Sequence, residues 1–388
     1  MSSSIHVTRC DRYDIDLVRS RVREHLDRYP QFSNIKGKRI LLKINLVIGM
    51  DPERAITTHP VFVKAVAQEL LSRGAIPFIA DSPGGLFNKA MLKRYYDASG
   101  MTGVAEETGI ELSYDTGSHI EKIPEGRFVK SFNVCNYLRN CDLVIALPKI
   151  KTHVFCGLTC ASKIMFGVVP GMEKVQYHTR FPHTVDFSKM LMDLTDLSRV
   201  DLFLVDGIVG MDDRGPSQGR AREVGVIISG TDHAAIDLHV TRVVGLNPAK
   251  LPIMKAARDL GLIEFDSKIE VTGDAADLKL EKPFKPARGG GVFTRPPRFL
   301  RRFMISIGTR KPRISHRKCV GCGVCRDNCA GKAIRIVNGK ARIRYSKCIR
   351  CYCCHELCPH GVVYLTIKES GLANYIADIG YNYFINVK

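Results

Sequence analysis

Within this 388-residue chain no apolar run approaches the roughly 18 residues of a membrane-spanning helix, so no transmembrane segment is expected. The opening MSSSIHVTRC lacks the continuous apolar core of a secretory signal, and the cytoplasm is the expected compartment. Acidic residues are scarce, 39 Asp and Glu against 58 Lys and Arg, leaving a formal net charge of +19. Such a balance attracts anionic surfaces, acidic proteins, nucleic acid or small anions. No nucleic-acid-binding motif accompanies it. Also missing are a nucleophile elbow, a Walker loop and a dinucleotide fingerprint, so nothing signals hydrolase, nucleotide or nicotinamide chemistry.

Cysteine, by contrast, is abundant. Of 14 cysteines, nine fall between Cys319 and Cys358. Without a secretion signal, that crowding points to metal rather than disulfides. Cys319, Cys322, Cys325 and Cys329 stand at C-x2-C-x2-C-x3-C spacing, and Cys348, Cys351, Cys354 and Cys358 repeat it before Pro359. This is the ligand pattern of bacterial two-cluster ferredoxins, in which the fourth cysteine of each run serves the other cluster. Cys319, Cys322, Cys325 and Cys358 are therefore assigned to one [4Fe–4S] cluster, and Cys348, Cys351, Cys354 and Cys329 to a second. Paired zinc knuckles explain two complete quartets poorly. Cys353 is surplus. Between the quartets, AIRIVNGKARI alternates apolar and polar residues around Asn338-Gly339, a hairpin signal.

The chain has room for two domains. We expect an α/β body over residues 1–281, a connector over 282–313, and a ferredoxin domain with a C-terminal tail over 314–388. The connector is rich in Gly, Pro, Lys and Arg and has no Asp or Glu. It reads as a solvated linker, or as a docking segment for an acidic redox partner or an anionic membrane surface through Arg298, Arg301 and Arg302.

In the body, strand candidates near 39–45, 75–81, 141–148, 201–207 and 224–230 alternate with helix candidates near 14–29, 59–73, 88–98, 184–197 and 232–244. Near-continuous hydrophobicity in the strands predicts burial on both faces, hence a mostly parallel layered sheet plus a small α+β ferredoxin-like domain. Ligands of such sheets bind beyond the carboxyl ends of the strands. Lys43 and Asn45 end the first strand. Asp81, Gly84 and Gly85 follow the second, Lys149, Lys151 and His153 the third, and Asp206 the fourth. Lys163 lies just downstream.

The run LVIALPKIKTH (143–153) places Lys149, Lys151 and His153 on one face of an extended chain. An anion between them would offset their repulsion. His153 would be the proton carrier, with Lys151 a candidate base or nucleophile. The competing reading is a further metal in the body, gathered by His153, Cys156 and Cys160 or drawn from His59, His178, His183, Asp206, Asp212 and Asp213.

Taken together, THPVFVKAV (58–66), DSPGG (81–85), LPKIKTH (147–153), KIMFGVVPG (163–171) and DGIVGMDDRGPSQG (206–219) resemble the iron–sulfur proteins of domain-of-unknown-function family 362. The resemblance implies a [4Fe–4S] protein of bacteria or archaea with a C-terminal ferredoxin module. It supplies no substrate. Similar members read Lys-Asn where this chain has Lys163-Ile164. Two functions follow as expectations: a ferredoxin-fused oxidoreductase acting on an anionic small molecule, or an electron-transfer or activation subunit for an acidic partner enzyme.

Overall fold

Apolar runs such as Ile40-Leu41-Leu42 become interior strands because helices cover both faces of the sheet. The computed structural model describes residues 4–287 and 310–366. In chain order the body contains β1 (Ser4–Arg9), β2 (Arg39–Lys43), β3 (Ile76–Ala80), β4 (Glu111–Leu112), the separate hairpin β5 (Ser118–Lys122) and β6 (Ser131–Cys135), then β7 (Leu143–Ala146), β8 (Lys149–His153) and β9 (Gly157–Thr159). The long strands β10 (Leu202–Asp212) and β11 (Arg220–Gly230) and the short β12 (Glu270–Thr272) complete it. The main sheet runs β12-β1-β11-β10-β7-β2-β3-β4, with β8 against β10 and β9. Strands β10, β7, β2, β3 and β4 are parallel, whereas β11 and β1 are antiparallel to their inner neighbours. The fold is α/β with a mostly parallel sheet, as the alternation of elements predicts.

One face is covered by α1 (Ile15–Asp27), α2 (Pro60–Ser72), α3 (Lys89–Ala98) and α4 (Met101–Thr108). Val18, Phe62, Leu92 and Val104 from these helices share a core with Ile40, Leu42 and Ile145. The other face carries α5 (Ala161–Ile164), α6 (Glu173–Arg180), α7 (Thr184–Leu197), α8 (His233–Val243) and α9 (Pro252–Asp259). Phe187, Leu191, Ile236 and Ile253 pack there against Leu41, Phe203 and Val205. Removing a fully buried side chain such as Leu42 costs about 2–5 kcal/mol. Local signals set the helix starts. His59 caps α2 through Nδ1 with Pro60 at the first position, and the Asp232 carboxylate accepts from Ala234 N and Ala235 N to open α8.

The run 143–153 is one extended path with two partners. Ile145 and Ala146 of β7 pair with Leu202 and Phe203, and β8 then follows the outer half of β10, Lys149 opposite Asp206 and Lys151 opposite Met211. That continuation carries the polar stretch past the sheet's carboxyl edge.

In the C-terminal module, β13 (Lys311–Ile314) pairs with β16 (Val363–Thr366), and β14 (Ile334–Val337) with β15 (Lys340–Ile343). Asn338 and Gly339 take positive φ at the tip of the second pair, as an Asn-Gly hairpin requires. Two single-turn helices, α10 (Val324–Asp327) and α11 (Cys353–Glu356), follow the two cysteine loops. Arg298, Arg301 and Arg302 of the connector lie outside the described residues.

Candidate functional site

The first charged pair at the sheet edge is Lys43 with Asp81, where β2 and β3 end. Lys43 Nζ sits 2.9 Å from Asp81 Oδ1 and donates to the carbonyls of Ile44 (2.8 Å) and Ile164 (3.3 Å). Asp81 Oδ2 accepts from Leu46 N at 2.7 Å. Both side chains are buried, and Gly167 is obligatory beside them, since a Cβ there would overlap Asp81 Oδ1 and Lys43 Nζ.

On β8 the three basic residues are accommodated in three different ways. Lys149 Nζ pairs with Asp206 Oδ2 at 2.8 Å and donates to the Tyr13 hydroxyl. Burial pulls its pKa down while Asp206 pushes back. Asp206 is itself saturated by Tyr13 and by His59 N. Lys151 Nζ donates to two neutral oxygens, Asn45 Oδ1 (2.7 Å) and Ile56 O (2.6 Å), and burial, with Lys163 and Lys149 adding, drives its pKa well below the ordinary lysine value. His153 escapes the repulsion by being neutral. Its Nδ1 accepts from Phe155 N (3.0 Å) and Cys156 N (3.2 Å), which leaves the proton on Nε2. Burial first, then Lys163, holds its pKa well below normal.

Beyond these residues lies a cavity of about 100 Å³ between the body and the C-terminal module. Of the site residues expected from the sequence, Asn45, Asp81, Gly84, Gly85, Lys151 and Lys163 line it, whereas Lys43, Lys149, His153 and Asp206 stand behind or beside the wall. Lys163 Nζ hangs over the Phe166 ring at 5.7 Å, with no acceptor at hydrogen-bond distance among the described residues. Lys174 Nζ donates to Ser82 Oγ (3.0 Å) and to the Val169 carbonyl, and burial brings its pKa down to about 8. His178, stacked on Phe187, is held neutral by burial, its pKa lowered to about 3.

The C-terminal module supplies the remaining wall with Asn328, Cys353, Glu356 and Leu357. Buried polar atoms without a protein hydrogen bond collect here: His153 Nε2, Thr159 Oγ1, His178 Nδ1, Asn328 Oδ1 and Glu356 Oε1. Interiors seldom leave such atoms unpaired away from water or ligand. Glu356 Oε1 and His153 Nε2 are 3.2 Å apart, yet their relative orientation is not that of a hydrogen bond. Burial raises the Glu356 carboxyl to about 7, with Lys163 and Lys151 opposing.

Glycines let the module approach. A Cβ on Gly84 would stand 2.6 Å from Leu357 Cδ2, and one on Gly85, at φ +97°, 3.2 Å from Asn328 Nδ2. The loop after β10 completes the contact, as Ser217 Oγ donates to the Glu356 carbonyl at 2.6 Å and Gln218 Nε2 to that of His355.

Within the module, Cys319, Cys322, Cys325 and Cys358 surround one void, and Cys329, Cys348, Cys351 and Cys354 another. Backbone amides reach the sulfurs, Ala341 N to Cys319 Sγ at 3.4 Å and Ala333 N to Cys329 Sγ at 3.1 Å. Thiols held around a void, with N–H donors on them, fit cubane clusters. Among the described residues no three His, Cys, Asp or Glu side chains converge on a single ion.

The further metal expected in the body thus finds no support. His153 Nδ1 is occupied by backbone amides, and Cys156 and Cys160 are fully buried thiols whose pKa values burial raises, Cys156 to about 12. Asp212 is bound by Arg220 and Arg222. No sequence pattern assigns Lys174, His178, Asn328 or Glu356 to this cavity. Lys174 and His178 carry a weak signal, an i,i+4 pair on one short helix. Glu356 lies between Cys354 and Cys358, where the cysteine spacing draws all the attention.

Comparison with known proteins bears on both parts of the chain. Residues 40–242 match the family model described as a domain of unknown function (DUF362), and residues 311–359 match a 4Fe-4S dicluster domain. A thylakoid-associated protein of Synechocystis sp. is 33% identical over 272 residues, covering 68% of this chain and 81% of its own. Among solved structures, the lactate racemase apoprotein of Thermoanaerobacterium thermosaccharolyticum is 13% identical with a TM-score of 0.41, covering 60% of this chain and 55% of that one. A Thermotoga maritima protein is 10% identical with a TM-score of 0.34, covering 66% and 60%.

Proposed function

Given that the chain belongs to the DUF362 family and ends in a 4Fe-4S dicluster domain, we propose that it is an iron–sulfur redox protein whose body binds a small anion against the cluster module. Cys319, Cys322, Cys325 and Cys358 would hold one cluster, and Cys329, Cys348, Cys351 and Cys354 the other. Bound there, the clusters supply or accept single electrons. The chain's own residues bind the anion and keep bulk water from it. Lys163 is the principal cation, Lys174 the second, and Lys151 a neutral-leaning donor. His153, protonated on Nε2 and facing Glu356, is the group through which a proton would be delivered.

The observation that carries this reading is Lys163. Its ammonium lies at the cavity without a hydrogen-bond acceptor, and the module's wall of that cavity includes Cys353 and Glu356 of the short helix that carries Cys354. The test is calorimetric titration of anaerobically purified holoprotein with inorganic phosphate and with acetate. Saturable binding of either, weakened at least about tenfold in Lys163→Ala with iron content unchanged, is expected. Absence of binding by both anions, or an unaffected Lys163→Ala variant, would refute it.

Electron exchange with a redox protein is favoured at the other end of the module, where Cys322 and Val320 are exposed, Val320 by 60%. Among the described residues no helix is long and apolar enough to cross a membrane. We place the protein in the cytoplasm. The net charge of +19 and the thylakoid association of the Synechocystis relative support peripheral contact with an anionic membrane surface.

A further inference from the structure

The cavity holds more than cations, and its other groups narrow what can occupy it. An anion that only accepts hydrogen bonds would satisfy Lys163 Nζ and the remaining N–H of Lys174, since an ammonium has three donors and Lys174 Nζ spends two on Ser82 Oγ and the Val169 carbonyl. It would leave the acceptors on the module side with nothing to accept.

Asn328 is the clearest of these. Its Nδ2 donates to the Val324 carbonyl at 2.9 Å, which fixes the amide so that Oδ1 is the free atom, buried and without a protein partner. Glu356 Oε1 is equally buried and accepts no hydrogen bond, although His153 Nε2 lies 3.2 Å away, and a carboxyl group keeps an acceptor oxygen whether or not it is protonated. Leaving a buried acceptor unsatisfied carries a desolvation penalty that a ligand donor would remove, so the acceptors select as well as the cations. The cavity measures about 100 Å³, and one water needs ~10–15 Å³, so the occupant has fewer than about ten heavy atoms.

Resting on the anion site argued above, we infer that the ligand is a small bifunctional anion. It carries a carboxylate or comparable anionic group for the lysines and a hydroxyl or amine donor for Asn328 Oδ1 and Glu356 Oε1. A 2-hydroxy- or 2-amino-carboxylate is among the smallest organic molecules of that class. The wall that reads the donor belongs to the cluster module, and the wall that reads the charge belongs to the body. Selection therefore requires both.

The experiment compares acetate with glycolate, which adds one hydroxyl, on the anaerobic holoprotein by calorimetry, with inorganic phosphate as a third probe. Glycolate is expected to bind at least about tenfold more tightly than acetate. In Asn328→Ala the glycolate affinity should fall towards that of acetate, while acetate itself is unchanged. Asn328→Asp, which keeps the acceptor, should retain the preference for glycolate. Because Asn328 adjoins Cys329, iron content is measured for each variant. The parent comparison stands even where a variant loses its clusters. Equal binding of acetate and glycolate would overturn the bifunctional ligand and leave the anion site standing. Binding of none of the three would overturn both.

Discussion

At the scale of single residues, the run 143–153 shows how burial redistributes charge. Spacing alone puts Lys149, Lys151 and His153 on one face, and that much is legible. What each becomes depends on partners far away in the chain: Asp206 for Lys149, Asn45 for Lys151, and two backbone amides for His153. No pattern near residue 150 reveals those partners, and in the proposed anion site the cationic roles fall instead to Lys163 and Lys174. Lys174 gives a pH prediction. Burial sets its pKa at about 8, with Cys135 and Asp81 opposing and Lys43 and Lys163 assisting, against an ordinary value near 10.4. It is charged below about pH 8 and neutral above, so acetate affinity should be full near pH 7 and decline through pH 8 by at most about tenfold per unit. Stability moves the other way, because between about pH 8 and 10.4 the unfolded chain holds the proton that the folded one has lost. Calorimetric titrations from pH 6.5 to 9.5 check the first statement. A flat profile in the parent protein, or an unchanged slope in Lys174→Gln, would contradict it. Lys151→Met carries a different signature. It leaves Asn45 Oδ1 and Ile56 O without their donor, and a loss of roughly 1–3 kcal/mol in urea denaturation is expected.

At the scale of elements, long periodic segments are readable and short ones are not. The helix expected near 59–73 is Pro60–Ser72, and that near 184–197 is Thr184–Leu197, because an apolar stripe and a capping residue coincide in each. Strand β1 leaves no such trace. Ser4–Arg9 alternates too briefly to stand out, and its place beside β11 is set by pairing across more than two hundred residues. The same holds for β8, whose lysines disguise a strand buried along its length. Glycines separate by what surrounds them. A Cβ on Gly171 would overlap the Gly85 carbonyl oxygen and stand 2.6 Å from Phe87 Cβ, whereas one on Gly103 in α4 meets nothing within 4 Å. Gly171→Ala should therefore destabilise by roughly 1–3 kcal/mol. Gly103→Ala should stabilise by about 0.5–1 kcal/mol, since a helical glycine only adds entropy to the unfolded chain. Urea denaturation of the two variants side by side, with opposite signs expected, is the check.

At the scale of the whole molecule, the cysteine quartets are the most legible feature, because ligand spacing is local. The convergence of polar loops at one sheet edge is legible as well, since β2, β3 and β7 are parallel. That the cluster module forms a wall of the cavity is not. The contacts responsible, Gly84 with Leu357, Gly85 with Asn328, and Ser217 with Glu356, join residues more than a hundred positions apart and leave no periodic trace. They carry a consequence for iron. Chelating it from the intact protein should abolish phosphate and acetate binding although Lys151, Lys163 and Lys174 remain, and anaerobic reconstitution should restore it. Persistent binding by the iron-free protein would show that the body suffices.

The wall shared between body and module also bears on how the protein comes into being. The lysine side of the cavity leaves the ribosome long before Glu356 does. A freshly made body therefore has nothing to close its pocket until the module that carries Glu356 has been made. On the proposed reading, cofactor insertion would complete the pocket, so the capacity to hold an anion would appear together with the capacity to exchange electrons with it. Oxygen reverses the sequence. On the same proposed reading, damage to a cluster would take away the wall it supports, and the bound anion would be released instead of being trapped in a site without its wiring.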